Sequence, residues 1–506
     1  MLRVELQRNL EMSDKALIRR LKTGIPGLDA LLGGGLPEFS FNLIGGNPGS
    51  GKTTLAHQLM FALAETDRRA LFFTVLGEPP LKMLRYQQQF TFFDIARVND
   101  SIRFVNLADT ILKGNFSRVL ARIREEVDAF NPKLVFVDSF RSAVRATNQE
   151  QDNGAGVQQF VQQLGMHLTN CEATTFLVGE YDMSETEANP IFTVADGLLA
   201  LMQSVHRNSM VRKIQVVKMR GQAQIPGLHT FRITDAGIQI FPRAILGARM
   251  ESTTLSNARV AMGIPKLDKM LGGGLPNGYS LLVAGPAGSG KTILATEFLA
   301  EGARRGETGI IAAFEKSPQQ SSRRTLDGLV QAGKLGVIDT RALDLSIDET
   351  LHEMTEMIER TGATRVVIDS LSGFELALAP TFREDFRESL YRMVAVLTNL
   401  GVTVLMTSEL EDRYTDLRFS PYGAAFLTDA IIVQRYIEVA SQLKRVMAVV
   451  KVRASQHSTE LRQFEITDAG IVIGNALTDY EGLLGGRPQR SSDPAPPARF
   501  SSSAVD

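Results

Sequence analysis

The pattern G-x-x-x-x-G-K-[ST] occurs twice in this 506-residue chain. One copy is Gly46-Asn47-Pro48-Gly49-Ser50-Gly51-Lys52-Thr53, the other Gly285-Pro286-Ala287-Gly288-Ser289-Gly290-Lys291-Thr292. Each follows an apolar run, residues 41–44 or 281–284, and precedes a helical pattern. Glycines let backbone N–H groups curl around phosphates, the lysine neutralises charge, and the threonine hydroxyl reaches Mg²⁺. The next residues, Thr54 and Ile293, are grouped with these phosphate-binding positions. Two nucleotides per chain are expected.

The loops belong to a longer duplication. Thr23-Gly24-Ile25-Pro26-Gly27-Leu28-Asp29 recurs as Met262-Gly263-Ile264-Pro265-Lys266-Leu267-Asp268, and Leu32-Gly33-Gly34-Gly35-Leu36-Pro37 as Leu271-Gly272-Gly273-Gly274-Leu275-Pro276, both offset by 239 residues. Thr234-Asp235-Ala236-Gly237 recurs as Thr467-Asp468-Ala469-Gly470, offset by 233. Each half is a complete unit, not a short solenoid repeat. The expected organisation is an N-terminal segment 1–20, a first domain 21–241, a linker 242–258, a second domain 259–485 and a disordered Pro/Ser/Ala-rich tail 486–506.

Strand-like runs alternate with helical segments in both halves. They fall near 41–44, 70–76, 134–138, 174–179 and 197–201, then near 280–284, 309–314, 365–369, 402–408 and 430–434. Continuous β-branched runs suit strands buried on both faces, and intervening helices imply a parallel sheet. Segments 214–219 with 231–241, and 446–452 with 464–473, read as an antiparallel extension. The fold class is therefore α/β, with two tandem P-loop domains, each a mainly parallel sheet flanked by helices.

Asp138 ends the run Leu134-Val135-Phe136-Val137, and Asp369 ends Val366-Val367-Ile368. An apolar strand delivering Asp to the carboxyl edge of the sheet is the expected metal partner of a P-loop, with Thr53 and Thr292. Without the upstream loops, each Asp would read equally well as a strand-end cap. Glu315 ends the second half's strand, 24 residues after Lys291, where a water-activating carboxylate would sit. Glu78 is its first-half counterpart, one or two residues late and followed by Pro79-Pro80. A Glu at either position also suits the start of a helix. Glu180 and Glu409 end the next strand and are further candidates for sensing the γ-phosphate or capping.

Lys218-Met219-Arg220 recurs as Lys451-Val452-Arg453. Residues i and i+2 of a strand share a face, so each segment projects two cations together. A solvated edge strand is the plain alternative. Duplication favours charge stabilisation at a γ-phosphate. Each pair lies far along the chain from its own loop, which points to a neighbouring subunit's nucleotide and a closed ring.

Composition narrows the field. The net charge of −1 supplies no overall field toward nucleic acid or an anionic membrane. With no tryptophan and no basic-aromatic strip, a nucleic-acid motor is disfavoured and nucleic acid is not an expected partner. The single cysteine, Cys171, permits no intrachain disulfide; no Cys/His zinc cluster is expected, and a reducing compartment fits. No run approaches the ~20 apolar residues that span a bilayer, and residues 1–20 lack the core of a signal peptide. A cytoplasmic protein is expected.

Taken together, the G-G-G-L-P before each P-loop, Ile368-Asp369-Ser370-Leu371, Lys218-Met219-Arg220-Gly221 and Thr234-Asp235-Ala236-Gly237-Ile238 resemble the KaiC family of RecA-like circadian-clock ATPases, from about Lys22 to Gly474. The resemblance implies a double-ring homohexamer with ATP and Mg²⁺ between adjacent subunits. It implies slow hydrolysis, with Lys218, Arg220, Lys451 and Arg453 reaching the neighbour's ATP. Serine/threonine autokinase and autophosphatase activity in the second ring, and KaiB- and KaiA-type partners, are implied as well. Three departures stand out. The paired glutamates become Glu315-Lys316 in the second half and Leu76-Gly77, with Glu78 late, in the first. The lysine beside Glu315 favours its ionised form. Ala424-Ala425 replaces the hydroxyl-bearing acceptor pair before Thr428-Asp429, so clock-type autophosphorylation is not expected there, although Ser420 and Thr428 lie nearby. Ala454 follows Arg453 where Gly221 follows Arg220. An ATPase acting as a signalling or timing switch is the expected function; a RecA-class motor and a nucleotide-stabilised scaffold are the alternatives.

Overall fold

Hydrogen-bonded strands of similar lengths are built from the two halves of the sequence in the same order. The computed structural model describes residues 18–75, 80–113, 116–139, 155–181, 190–206, 209–243, 258–314, 320–338, 345–383, 385–410, 427–439, 441–468, 470–478, 480–481 and 489–490. The chain divides into two units, Met1–Ile245 and Leu246–Asp506.

In the first unit β1 (Arg20–Leu21) pairs with β2 (Leu36–Pro37). The main sheet contains β3 (Phe41–Gly46), β4 (Ala70–Thr74), β5 (Ile102–Asn106), β6 (Leu134–Asp138), β7 (Thr174–Gly179), β8 (Gly197–His206), β9 (Ser209–Met219), β10 (His229–Thr234) and β11 (Gly237–Phe241). Their order is β11-β10-β9-β8-β3-β7-β6-β4-β5. Pairs from β8 to β5 are parallel, and β8 through β11 pair antiparallel. The predicted parallel sheet and antiparallel extension are both present. Strand β8 runs past the expected residue 201 because β9 pairs along its full length. Edge strand β5 escaped the sequence reading, as did its second-unit counterpart.

Successive side chains alternate between the two faces of the sheet. Phe72, Phe136 and Phe176 pack on one face with Leu55, Leu59 and Leu63 of α1 (Lys52–Leu63). Leu71, Phe73, Val135, Val137 and Leu177 pack on the other. That face is covered by α2 (Phe116–Phe130) through Val119, Ile123 and Val127, and by α3 (Ala155–Asn170) through Val161, Leu164 and Leu168. Each such Leu or Phe contributes roughly 1.5–3 kcal/mol by leaving water. The aromatic row is in register: Phe72 opposes Phe136, which opposes Phe176, with ring centroids 5.9 and 4.7 Å apart. His57 of α1 caps the row, 4.6 Å from Phe72. Next in register comes buried Asn42, whose amide donates to Ser40 Oγ at 2.9 Å. Gly197 is required opposite Asn42, because a Cβ there would sit 2.1 Å from Asn42 Oδ1.

The second unit repeats this architecture. After β12 (Arg259–Val260) and β13 (Leu275–Pro276) come β14 (Ser280–Gly285), β15 (Gly309–Ala313), β16 (Leu335–Ile338), β17 (Arg365–Asp369), β18 (Thr403–Glu409), β19 (Ala430–Val439), β20 (Gln442–Val452), β21 (Arg462–Thr467) and β22 (Gly470–Ala476). Their order, β22-β21-β20-β19-β14-β18-β17-β15-β16, matches the first sheet strand for strand. Its core is aliphatic where the first is aromatic: Ile311, Val367 and Leu405 form the corresponding row. At the start of β17, fully buried Arg365 stands where β6 begins with Leu134. It donates to Glu307 Oε2 at 2.6 Å and to the carbonyls of Phe298 and Ala261 at 2.7 and 2.8 Å. Helix α4 (Pro190–Val194) of the first unit, and α5 (Lys291–Arg304) and α6 (Ile347–Thr361) of the second, complete the elements used below. Ser346 caps α6 by accepting from Glu349 N at 3.1 Å.

Candidate nucleotide-binding sites

Both P-loops leave the carboxyl ends of their central strands and run straight into helices. Gly51 and Gly290 precede α1 and α5 with φ of 102° and 101°. That left-handed geometry suits glycine and aims the first free N–H groups of the helix into the loop. A Cβ on Gly51 would also meet Ile233 Cδ1 at 2.9 Å.

Lys52 lies back over its loop and donates to Asn47 O at 2.8 Å. Lys291 does the same to Gly285 O and Pro286 O, each at 2.9 Å. Burial pushes the Lys52 ammonium down, against the opposing charges of Glu180 and Asp138. Burial likewise pushes the Asp138 carboxyl up, while the Thr53 hydroxyl and Lys52 pull it down. Thr53 Oγ1 donates to Asp138 Oδ2 at 2.7 Å, bringing the first unit's two predicted metal ligands together. A hydroxyl and a carboxylate, both oxygen donors, fit Mg²⁺. In the second unit Asp369 ends β17 and is buried, and its Oδ1 accepts from Thr407 of β18. Thr292 is the second residue of α5.

The two loops differ at one buried point. Ser289 Oγ donates to Gln434 Oε1 of β19 at 3.0 Å. The equivalent Ser50 Oγ is buried without a protein partner, and β8 presents Leu201 beside Gly46 instead. A Cβ on Gly46 would strike Leu201 O at 2.0 Å. Gly46 is thus required by the close approach of β8, and the Ser50 hydroxyl beneath the loop lacks the tie that Ser289 makes.

Glu78, Glu315 and Lys316 lie outside the described residues, as do Ser420, Ala424 and Ala425. The strands that lead to the glutamates end at Thr74 and Ala313, beside Asp138 and Asp369 respectively. Glu180 follows β7 and acts electrostatically on both Lys52 and Asp138. Glu409 ends β18 and pairs in register with Gly285.

The Lys/Arg pairs sit elsewhere. Lys218 and Met219 oppose Leu198 and Gly197, and Gly197 opposes Asn42 at the start of β3. The P-loop leaves β3 at its other end, where Gly46 opposes Leu201. At about 3.3 Å per residue these two points lie roughly 13 Å apart along β3. Lys451 similarly opposes Ile431, next to Leu282 near the start of β14. Lys218 Nζ donates to the Phe192 and Thr193 carbonyls of α4 at 3.3 and 3.2 Å, and Lys451 Nζ to Thr428 O at 2.6 Å. Burial first, and the adjacent arginine second, push both ammonium groups down.

Arg220 and Arg453 show a relationship the sequence reading missed. Arg220 Nη1 donates to Asp196 Oδ1 at 3.2 Å, and Arg453 Nη1 to Asp429 Oδ1 at 3.3 Å. Each Asp also accepts, through Oδ2, from the first backbone N–H of the central strand, Phe41 or Ser280, at 3.0 Å. The signal was present: Asp196 and Asp429 share the 233-residue offset of the Lys/Arg pairs.

A P-loop on the central strand, an acidic strand end beside it and this strand order define a tandem RecA-like P-loop ATPase. A family model described as "ATPase: KaiC" matches residues 21–245 and again 260–478. The chain belongs to the KaiC ATPase family. It is 29% identical over 493 residues to the "Circadian clock oscillator protein KaiC" of Picosynechococcus sp., covering 94% of this chain and 93% of that protein. Its identity to the "Circadian clock oscillator protein KaiC 1" of Synechocystis sp. is 28% over 495 residues, with coverage of 94% and 93%. To the KaiC of Acaryochloris marina it is 27% over 497 residues, with coverage of 95% and 93%. Family membership carries ATPase or kinase-type chemistry, with nucleotide and magnesium use, at the family level.

Proposed function

We propose that this chain is a ring-forming ATP hydrolase acting as a signalling or timing switch, with ATP·Mg²⁺ held between protomers at both P-loops. Residues 46–54 and 285–293 cradle the phosphates. Thr53 with Asp138, and Thr292 with Asp369, are the metal ligands. When bound, the metal neutralises charge on the phosphates. Glu78 and Glu315 orient or deprotonate the attacking water. Lys218, Arg220, Lys451 and Arg453 place positive charge on a neighbour's γ-phosphate. The ring is read as a hexamer, the domains as 21–241 and 259–485 joined by a 242–258 linker, the location as cytoplasmic, and a KaiB-like protein as a partner. Hydrolysis is favoured over clock-type autophosphorylation because Ala424 and Ala425 have no hydroxyl to accept a phosphoryl group.

One observation carries this reading. Arg220 lies at the edge of its sheet opposite the P-loop of its own unit, as Arg453 does in the second. A cation so placed is remote from the phosphate loop of its own unit, which supports a role at a nucleotide held by another protomer. Complementation tests it. A chain with Lys52→Ala and Lys291→Ala is mixed with one carrying Arg220→Ala and Arg453→Ala. Turnover should reappear in the mixture, since each chain supplies what the other lacks. A mixture as inactive as its parents removes the trans assignment. Among the described residues no helix is long and apolar enough to cross a membrane.

A further inference from the structure

Away from both P-loops, three side chains with metal-binding chemistry meet where α2 packs on α3. Asp128 lies in the last turn of α2, His167 in the last turn of α3, and Cys171 just beyond it. Their donor atoms all lie within 4.8 Å of one another. His167 Nε2 is 3.8 Å from Asp128 Oδ1 and 4.0 Å from Cys171 Sγ. Cys171 N donates to His167 O at 3.1 Å, so helical geometry carries 167 and 171 onto one face. A tetrahedral ion with bonds of about 2.0–2.3 Å holds its ligand atoms roughly 3.3–3.7 Å apart. The observed spacings need only small side-chain rotations to reach that range.

The surroundings favour a cation. The carbonyl end of α3 contributes negative potential beside Asp128. Lys133, the cation that acts on Cys171, is engaged with Glu172 at 2.9 Å. Asp128 is 66% exposed, whereas His167 is 20% exposed, which leaves an entry path on the carboxylate side. Burial and the Asp128 charge raise the Cys171 thiol, against Lys133, so the free group is no ready nucleophile. A metal ion instead takes the place of the thiol proton.

We propose that Asp128, His167 and Cys171 bind a single zinc-class divalent cation, leaving a fourth position to water or an exogenous donor. Thiolate and imidazole select zinc-like ions over Mg²⁺, which demands octahedral oxygen. Binding replaces the S–H bond with a metal–sulfur bond and releases that proton to solvent. One cysteine cannot build a cysteine-rich site, which is why no Cys/His zinc cluster is expected from the sequence. This set recruits its other two ligands from elsewhere in the first unit, 43 and four residues upstream of Cys171.

The full-length protein titrated with Co²⁺ tests the proposal. Cys171 is the sole cysteine, so a thiolate-to-cobalt charge-transfer band reports this site whatever the P-loops bind. The band should saturate at one equivalent per chain and be displaced by Zn²⁺. C171S should abolish it without changing ATP turnover. H167Q and D128N should each weaken binding by at least the roughly tenfold cost of losing even an outer-shell partner. No charge-transfer band in the wild-type protein overturns the proposal. So does a band of undiminished affinity in H167Q and D128N whose circular dichroism matches wild type.

Discussion

Ser289 donates its hydroxyl proton to Gln434 at 3.0 Å, fastening the second P-loop to the neighbouring strand. The first unit has Leu201 at the matching position, and Ser50 Oγ is left without a protein partner. A buried hydrogen bond contributes about 1 kcal/mol, whereas an orphaned hydroxyl contributes nothing favourable. Ser289→Ala should therefore lower the stability of the nucleotide-free protein by about 1 kcal/mol. Ser50→Ala should be neutral or stabilising. Calorimetric unfolding of both variants decides, and equal losses would remove the asymmetry.

His57 gives the first unit an acid-sensitive point. Burial beside Phe72 lowers its pKa to about 3, against the Thr53 carbonyl, so the folded ring stays neutral at moderate acidity. The unfolded chain binds a proton below pH ~6.5. The unfolded state therefore gains protons first, and stability falls as pH drops from about 6.5 toward 3. At pH 5 the loss is roughly 2 kcal/mol. His57→Phe keeps an aromatic ring against Phe72 and removes this term. A profile of Tm against pH between 5 and 7 should be flatter for the variant; parallel profiles would exclude His57 as the cause.

The Arg365–Glu307 contact is the second unit's own vulnerability. Burial works against the Glu307 carboxylate, yet hydrogen bonding and charge from Arg365 hold it below its ordinary range. That contribution is present at neutral pH and disappears as pH falls through the lowered value. Arg365→Ala leaves the Phe298 and Ala261 carbonyls short of a donor and opens a cavity, and should cost about 3–5 kcal/mol. Arg365→Leu, the first unit's solution at this place, should cost less because it refills the space. Denaturant midpoints rank the two, and the opposite ranking would contradict this packing account.

Asp196 positions Arg220 rather than touching phosphate in its own unit. If Arg220 serves a neighbour's phosphate as proposed, Arg220→Ala should lower turnover by on the order of 10³-fold while nucleotide binding persists. Asp196→Asn keeps the cation but loosens its aim, so the loss should be smaller and appear in kcat more than in KM. Equal losses in both parameters would mark Asp196 as a structural residue only.

The P-loops and central strands were legible because their information is local. A glycine loop between an apolar run and a helix needs no distant partner to be recognised. Strands β5 and β16 were not. Arg103 and Asn106 interrupt the apolar run of the first, and the second is only the four residues Leu335–Ile338 with Gly336 inside it, too short and too glycine-broken to stand out as a strand. The tie between Arg220 and Asp196 was hidden for another reason: a shared offset is visible in sequence, but which groups face each other depends on antiparallel pairing. Asp128 and His167 meet only because two helices pack, which residue spacing does not reveal.

The placement of phosphate loop and arginine at opposite edges of one sheet has an arithmetic corollary. Under the proposed trans arrangement every protomer is half of two catalytic centres in each tier and the whole of none. An open row of n protomers would complete n − 1 centres per tier and strand one half-site at each terminus. Closure alone uses every loop and every arginine, so losing one protomer from a hexamer silences two of its six centres in each tier.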